Sequence, residues 1–222
     1  MKIIAISNSA GGVGKTTLSH CLAVSFAEFG KKTLLIDLDP SGALTFRLGY
    51  ENPRISLADF FSGLKLNDSN IETTSERFDF IPADSRLTSI FPADSLSNLI
   101  SALPKDYDIV LLDLPASLSQ PFALAISVSN LILIPVRNNL HSLRGYLQIK
   151  SGAPGVAVTG IAIGANQLIP AAEMLDEAIV ESAEIEAASA SKVSILTSDK
   201  SGAVAESYRS AGYSILEKLG LE

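Results

Sequence analysis

Tryptophan is absent from the 222-residue chain, cysteine occurs once and methionine twice. The single thiol, Cys21, excludes an internal disulfide and suits a reducing compartment. Aromatic residues make up 6% against 47% hydrophobic residues in all, so a core must be built mainly from Ile, Leu, Val and Ala. No apolar run approaches the ~20 residues that cross a bilayer. The first apolar run reads as a strand of the fold and not as a signal peptide, so a cytoplasmic protein with no membrane partner is expected. The two histidines, His20 and His141, stand at no metal-ligand spacing. Positive charge is in deficit: 17 Lys and Arg against 24 Asp and Glu leave a net charge of −7. That balance disfavours indiscriminate DNA binding by a monomer. The deficit is uneven. Glu173, Asp176, Glu177, Glu181, Glu184 and Glu186 have no basic residue among them. Arg137, Arg144 and Lys150 share one strand–helix unit, and Lys192, Lys200, Arg209 and Lys218 fall near the C-terminus. Scattered surface charge is the ordinary reading of such residues, although a dimer would join two weak basic patches into one surface.

What the chain does have is an apolar run, Lys2-Ile-Ile-Ala-Ile6, followed by a glycine-rich loop and then Lys-Thr-Thr at the start of a helical pattern. Strand, glycine loop and Lys-Thr helix in this order form the layout of a phosphate-binding loop. A triphosphate needs dense positive potential at short range. Backbone N–H groups supply it where no side chain blocks the approach, which accounts for Gly11, Gly12 and Gly14 around Val13. The following helix aims its orphan N–H groups at the same place. Lys15 then reaches the β- and γ-phosphates, Thr16 offers its hydroxyl to Mg²⁺, and Thr17 bonds the α-phosphate.

Strands are expected near 2–7, 33–38, 78–82, 108–113, 130–135, 156–163 and 192–196, and helices near 15–29, 55–62, 84–102, 119–128, 141–151, 171–190 and 202–219. Residues 63–77 are polar and aperiodic and read as a surface excursion. This alternation predicts one α/β domain over 1–222: a P-loop NTPase with a mostly parallel twisted sheet of about seven or eight strands and helices on both faces. Apolar strands that end in aspartate put carboxylates at the C-terminal edge of such a sheet, where ligands bind. Asp113 is expected to hold Mg²⁺ through water, Asp39 to orient the attacking water, and Asp37 to support that network or the metal.

The general phosphate-loop pattern needs glycine at position 9, where Ser9 stands. The core Gly11-Gly-Val-Gly-Lys-Thr-Thr17 instead resembles the deviant loop of the ParA/MinD family, whose members partition DNA or position division sites. The family's loop opens with a lysine that reaches across a dimer to the partner's nucleotide; here that position is Ala10. The likeness continues through Asp37-Leu-Asp-Pro-Ser-Gly42, where Ser41 replaces the family's glutamine, and through Asp113-Leu-Pro-Ala116, where Ala116 replaces its second proline. Phe80-Ile-Pro-Ala83, Leu131-Ile-Leu-Ile-Pro-Val136, Ser142-Leu-Arg-Gly145 and Gly160-Ile-Ala-Ile163 follow in the expected order. The resemblance implies ATP and ADP as ligands with Mg²⁺, slow hydrolysis, a homodimer formed on ATP binding, nonspecific DNA binding with association to the nucleoid, and a centromere-binding ParB-like partner. It also implies an adenine pocket, for which Asn166 and the turn at 197–200 are the expected sources. The C-terminal Leu216-Glu-Lys-Leu-Gly-Leu-Glu222 is too short and acidic for the membrane helix of the MinD branch, so the ParA branch is favoured. Without the lysine at position 10, nucleotide binding is expected to survive and hydrolysis to be weak or to draw on another cation: Arg137, Arg144 or Lys200. Two other classes share these features: a P-loop synthetase or small-molecule kinase of the dethiobiotin-synthetase type, and a nucleotide-gated scaffold without catalysis.

Overall fold

The computed structural model describes residues 1–222. Its strands are β1 Lys2–Ile6, β2 Thr33–Asp37, β3 Glu72–Thr73, β4 Asp79–Ile81, β5 Ile109–Asp113, β6 Leu131–Val136, β7 Ala157–Ile163 and β8 Met174–Ile179. They form one eight-stranded sheet in the order β3-β4-β2-β5-β1-β6-β7-β8. Every neighbouring pair is parallel except β3 with β4. The helices are α1 Lys15–Glu28, α2 Ala43–Arg47, α3 Leu57–Phe61, α4 Ser95–Ser101, α5 Gln120–Ile126, α6 Leu140–Gly152, α7 Glu184–Ala190, α8 Ile195–Ser198 and α9 Ala203–Leu219. None is long and apolar enough to cross a membrane.

The centre of the sheet is apolar on both faces because β1, β2, β5 and β6 are near-continuous Ile, Leu and Val runs, as a doubly covered parallel sheet requires. Side chains alternate between two cores. Ile3, Ala5, Leu34, Ile36, Val110 and Leu112 join one core with Leu57, Leu96, Phe122 and Ile149, under α3 to α6. Ile4, Ile6, Leu35, Ile109, Leu111 and Leu133 join the other with Leu18, Leu22, Val204, Tyr208 and Ile215, under α1 and α9. The apolar face expected on the last helix is the one that docks there. Register then fixes the site: Ile6 and Asp37 are each level with Asp113, so β1, β2 and β5 end at the same height and their following loops meet at one edge.

The acidic segment departs from expectation. Residues 171–190 read as a helix, but Met174–Ile179 is the edge strand β8, paired in parallel with β7. Pairing and packing against the sheet override the helix propensity of Glu and Ala. The link from β7 to β8 has no crossover helix; only a 3₁₀ turn at Ala171–Glu173 interrupts it, although parallel crossovers usually carry a helix. Ile169 of that link is buried in the core, and Glu173 is tied to Tyr146 and Lys150 of α6. The strand expected at 192–196 is instead the short helix α8, whose Ile195 and Leu196 are buried. The helix expected over 84–102 is a 3₁₀ turn at Ser85–Thr88, a non-helical stretch through Pro92, and then α4. The excursion at 63–77 contains a 3₁₀ turn and β3, and α2 was not anticipated.

Candidate functional site

The loop after β1 is fixed at both ends. On its first limb, the buried Asn8 donates Nδ2 to the Pro135 carbonyl at 2.9 Å and accepts the Ala10 N–H at 2.9 Å. Ser9 Oγ donates to Gln148 Oε1 of α6 at 2.6 Å. Gly145 of α6 lies so close that a Cβ there would stand 1.9 Å from Asn8 Oδ1 and 2.9 Å from Ala10 N. On the second limb Gly12 and Gly14 have φ of 70° and 97°, the left-handed region that disfavours any side chain. Gly14 caps α1, whose first turn has no acidic residue and no side-chain cap, so its leading N–H groups face the loop unpaired.

Lys15 is buried and donates Nζ to the Ala10 carbonyl at 3.0 Å, which holds the ammonium over the loop. Burial lowers its pKa, while Asp113 and Asp39 oppose that. Below it Asp113 is fully buried; it accepts Ser19 Oγ at 2.6 Å and Thr16 Oγ1 at 3.1 Å. Asp37 is buried too, and its oxygens accept Asp39 N–H at 2.9 Å, Thr45 N–H at 3.0 Å and Thr45 Oγ1 at 2.7 Å. Both carboxyls are pushed above the usual range, chiefly by burial; the charge of Asp113 adds to the shift of Asp37, and Lys15 counteracts the shift of Asp113.

A cavity of about 760 Å³ opens above this group, within the range of small-molecule sites. Residues 11–17, Asp39 and Ala116 line one end; Arg137 lies at the end of β6; Ile163, Glu181, Ile185 and Tyr208 line the part beyond β7 and β8. Thr16 and Asp113 offer adjacent hard oxygen donors, so a cation seated there would draw its remaining ligands from phosphate and water, as Mg²⁺ does. Amide groups, the Lys15 ammonium and the Thr16 hydroxyl, with Asp113 directly behind Thr16, are chemically suited to a metal-bound polyphosphate.

A family described as "AAA domain" matches residues 1–153. The sporulation initiation inhibitor protein Soj of Bacillus subtilis is 34% identical over 161 residues, which cover 67% of this chain and 63% of Soj. The chain belongs to the ParA/MinD family of P-loop ATPases. The match thus spans less than two thirds of that relative. Among solved structures, the septum site-determining protein MinD of Pyrococcus horikoshii, complexed with Mg-ADP, superimposes with a TM-score of 0.84 over 99% of this chain and 98% of its own at 22% identity. Cobyrinic acid a,c-diamide synthase of Mycobacterium smegmatis, with a bound ATP analogue and magnesium, gives 0.77 over 99% and 95% at 19% identity. At these identities the two likenesses concern the fold, which a partition-type protein and a synthetase share.

Set in the ParA/MinD frame, the expected residues divide. Gly11, Gly12, Val13, Gly14, Lys15, Thr16, Thr17 and Asp39 all line the cavity, and Asp113 lies beneath it against Thr16. Asp37 does not line it. Its oxygens accept from residues 39 and 45, so in this structure it braces the loop that carries Asp39. Asn166 lies outside the lining, and its carboxamide bonds Ile169 O and Leu168 N–H of its own turn, so the adenine contact expected of it is not assembled; residues 197–200 also stay outside. Of the three proposed substitute cations, Arg137 lines the cavity and Arg144 and Lys200 do not. Sequence reasoning missed Asn8, Ser19, Gly145 and Glu181. Ser19 had a signal, since it follows Thr16 by three positions and shares its helix face. The others depend on contacts distant in sequence.

Proposed function

We propose that this chain is a partition-type switch ATPase, which binds ATP and ADP with Mg²⁺, dimerises in the ATP state, engages DNA nonspecifically in that state, and is reset by slow hydrolysis under the influence of a DNA-bound ParB-like protein. The observation that carries the reading is the convergence on one cavity of the uncapped start of α1, the buried Lys15, the Thr16–Asp113 pair and Asp39. Family membership extends it, because Soj is a relative over two thirds of the chain.

The residues divide the work as follows. Amides of 11–16 and Lys15 bind the phosphates. Bound Mg²⁺ would neutralise charge on the terminal phosphates. Thr16 and Asp113 are the groups that would hold it, and Ser19 keeps Asp113 oriented. Asp39 orients water from a loop braced through Asp37 and Thr45. Ala10 supplies no cation to a partner's nucleotide. A cation at such a transition state is worth ~10³–10⁵ in rate in P-loop enzymes, so hydrolysis is weak. The basis for switching is electrostatic: the γ-phosphate adds negative charge at the cavity mouth, and its removal releases whatever was ordered around it.

Sizing by light scattering with ADP, ATP and a non-hydrolysable ATP analogue, each with and without DNA, tests the reading. A dimer with ATP or the analogue, and DNA bound in those states alone, is the expected result. A monomer under every condition would overturn the switch, and phosphate release that requires a small carboxylic acid or amine would favour a synthetase.

A further inference from the structure

The cavity has two cationic side chains in its wall, Lys15 and Arg137, and three acids, Asp39, Glu181 and Glu186. Lys15 belongs to the loop. Arg137 NH1 is tied to Glu181 Oε1, so a residue at the end of β6 is joined to one just beyond β8, across the end of β7. Glu181 lies over Gly164, with Oε2 2.7 Å from where a Cβ of residue 164 would stand. Two observations mark this pair as more than a surface contact. Arg137 Nε is shielded from solvent and has no hydrogen-bond partner, so the guanidinium keeps a donor in reserve. Its backbone is pinned, with Arg137 N–H donating to Ser142 Oγ at 2.9 Å, so only the side chain is free to turn.

We propose that the Arg137–Glu181 pair is a latch across the cavity: Glu181 holds the guanidinium while the cavity is free, and an incoming nucleotide displaces Glu181 and takes the guanidinium on its phosphate oxygens. The inference rests on the nucleotide reading above and assigns two residues within it, Arg137 as a binding residue and Glu181 as the nucleotide's internal competitor. A planar guanidinium suits either anion, since carboxylate and phosphate present similar paired acceptors. Both side chains are partly exposed, at 37% and 49%, so the pair is weak enough for a ligand to open.

Calorimetric titration of Mg-ADP into the full chain, its Glu181→Gln and Arg137→Gln variants and the double variant tests this. Removing the competitor should tighten binding by about two- to fivefold, the range an exposed ion pair supports. Arg137→Gln should weaken it by about three- to tenfold. In the Arg137→Gln background the gain from Glu181→Gln should vanish, because no guanidinium remains to be released. Equal affinity of wild type and Glu181→Gln overturns the latch while leaving nucleotide binding in place. So does a gain that persists without Arg137, which would be simple charge repulsion. Absence of binding in wild type and Glu181→Gln alike would remove the nucleotide reading and the latch with it, whereas binding by Glu181→Gln alone would support both.

Discussion

Replacing Gly145 by alanine sets two physical rules against each other. Gly145 lies inside the helix α6, where alanine is favoured by about 1 kcal/mol on propensity alone. The same methyl would stand 1.9 Å from Asn8 Oδ1 and 2.9 Å from Ala10 N, distances no packed structure tolerates. Asn8 cannot step aside cheaply. It is fully buried, and its carboxamide links Ala10 N–H on one side to the Pro135 and Ser142 carbonyls on the other. Rotating it away strands buried groups at about 1–3 kcal/mol each, and shifting α6 instead incurs an overpacking cost of similar size. The net expectation is a loss of about 2–4 kcal/mol, or about 4–16 °C in melting temperature for a chain of this size. Nucleotide affinity should fall with it, by about tenfold or more, because Ala10 is the residue whose carbonyl holds Lys15. Thermal unfolding and Mg-ADP calorimetry measure the two effects. A double-mutant cycle with Asn8→Ala should show strong non-additivity, since removing the asparagine also removes most of the collision. A Gly145→Ala protein that is more stable than wild type and binds nucleotide normally would refute the proposed contact between α6 and the loop.

Asp113→Asn should weaken Mg²⁺-dependent ADP binding by about tenfold while leaving metal-free binding nearly unchanged, as read by titration with and without the metal. The raised Asp113 pKa adds a sign: a proton competes with the cation, so Mg²⁺ affinity should rise with pH above the ordinary carboxylate range, and a flat profile would contradict it. In the metal-free protein the same shift means that the folded state holds more protons, so stability attributable to Asp37 and Asp113 falls as pH rises through that window. Glu76 behaves oppositely. Burial alone would raise it, but His20, Ser194 and Thr197 bond its carboxylate and together hold the pKa down at about 2. Its contribution, about 3 kcal/mol, is present above its usual pKa and is lost as pH falls toward 2. Glu76→Gln should therefore lower urea-unfolding stability at neutral pH by about that amount, with the gap to wild type closing on acidification; a constant gap would count against it.

The phosphate loop and the aspartate-ended strands were legible because each carries a local constraint that sequence displays directly. Glycines at φ of 70° and 97° admit few alternatives, and a four-residue apolar run closed by aspartate, such as Ile109–Asp113, has one economical place in a parallel sheet. Residues 171–190 were misread because glutamate and alanine report helix propensity, whereas the position of β8 is decided by its pairing with β7 and by α9 packed on it. Asn8 and Gly145 escaped for a similar reason. They are neighbours in space and 137 positions apart in sequence, and neither is unusual in its own segment. Asn166 and Asp37 are each polar and near a strand end, and their hydrogen bonds run to nearby residues, 168 and 169 for Asn166 and 39 and 45 for Asp37, which no local pattern displays.

The family resemblance implies a lysine at position 10 that reaches out to a partner, yet Ala10 is 1% exposed, its N–H held by Asn8 and its carbonyl by Lys15. The loop's first limb is drawn inward onto α6 through Asn8, Ser9 and the space left by Gly145. A lysine at position 10 would have to free its side chain from this packing, so Ala10→Lys should cost about 1–3 kcal/mol of stability. If a missing cation is what limits hydrolysis, the same variant should still turn over ATP at least about tenfold faster than wild type, because transition-state charge is worth far more than the packing lost. Steady-state phosphate release from the two proteins decides it. Equal turnover would mean that the cation deficit is already met, and Arg137 is the one further cation in the cavity wall placed to meet it.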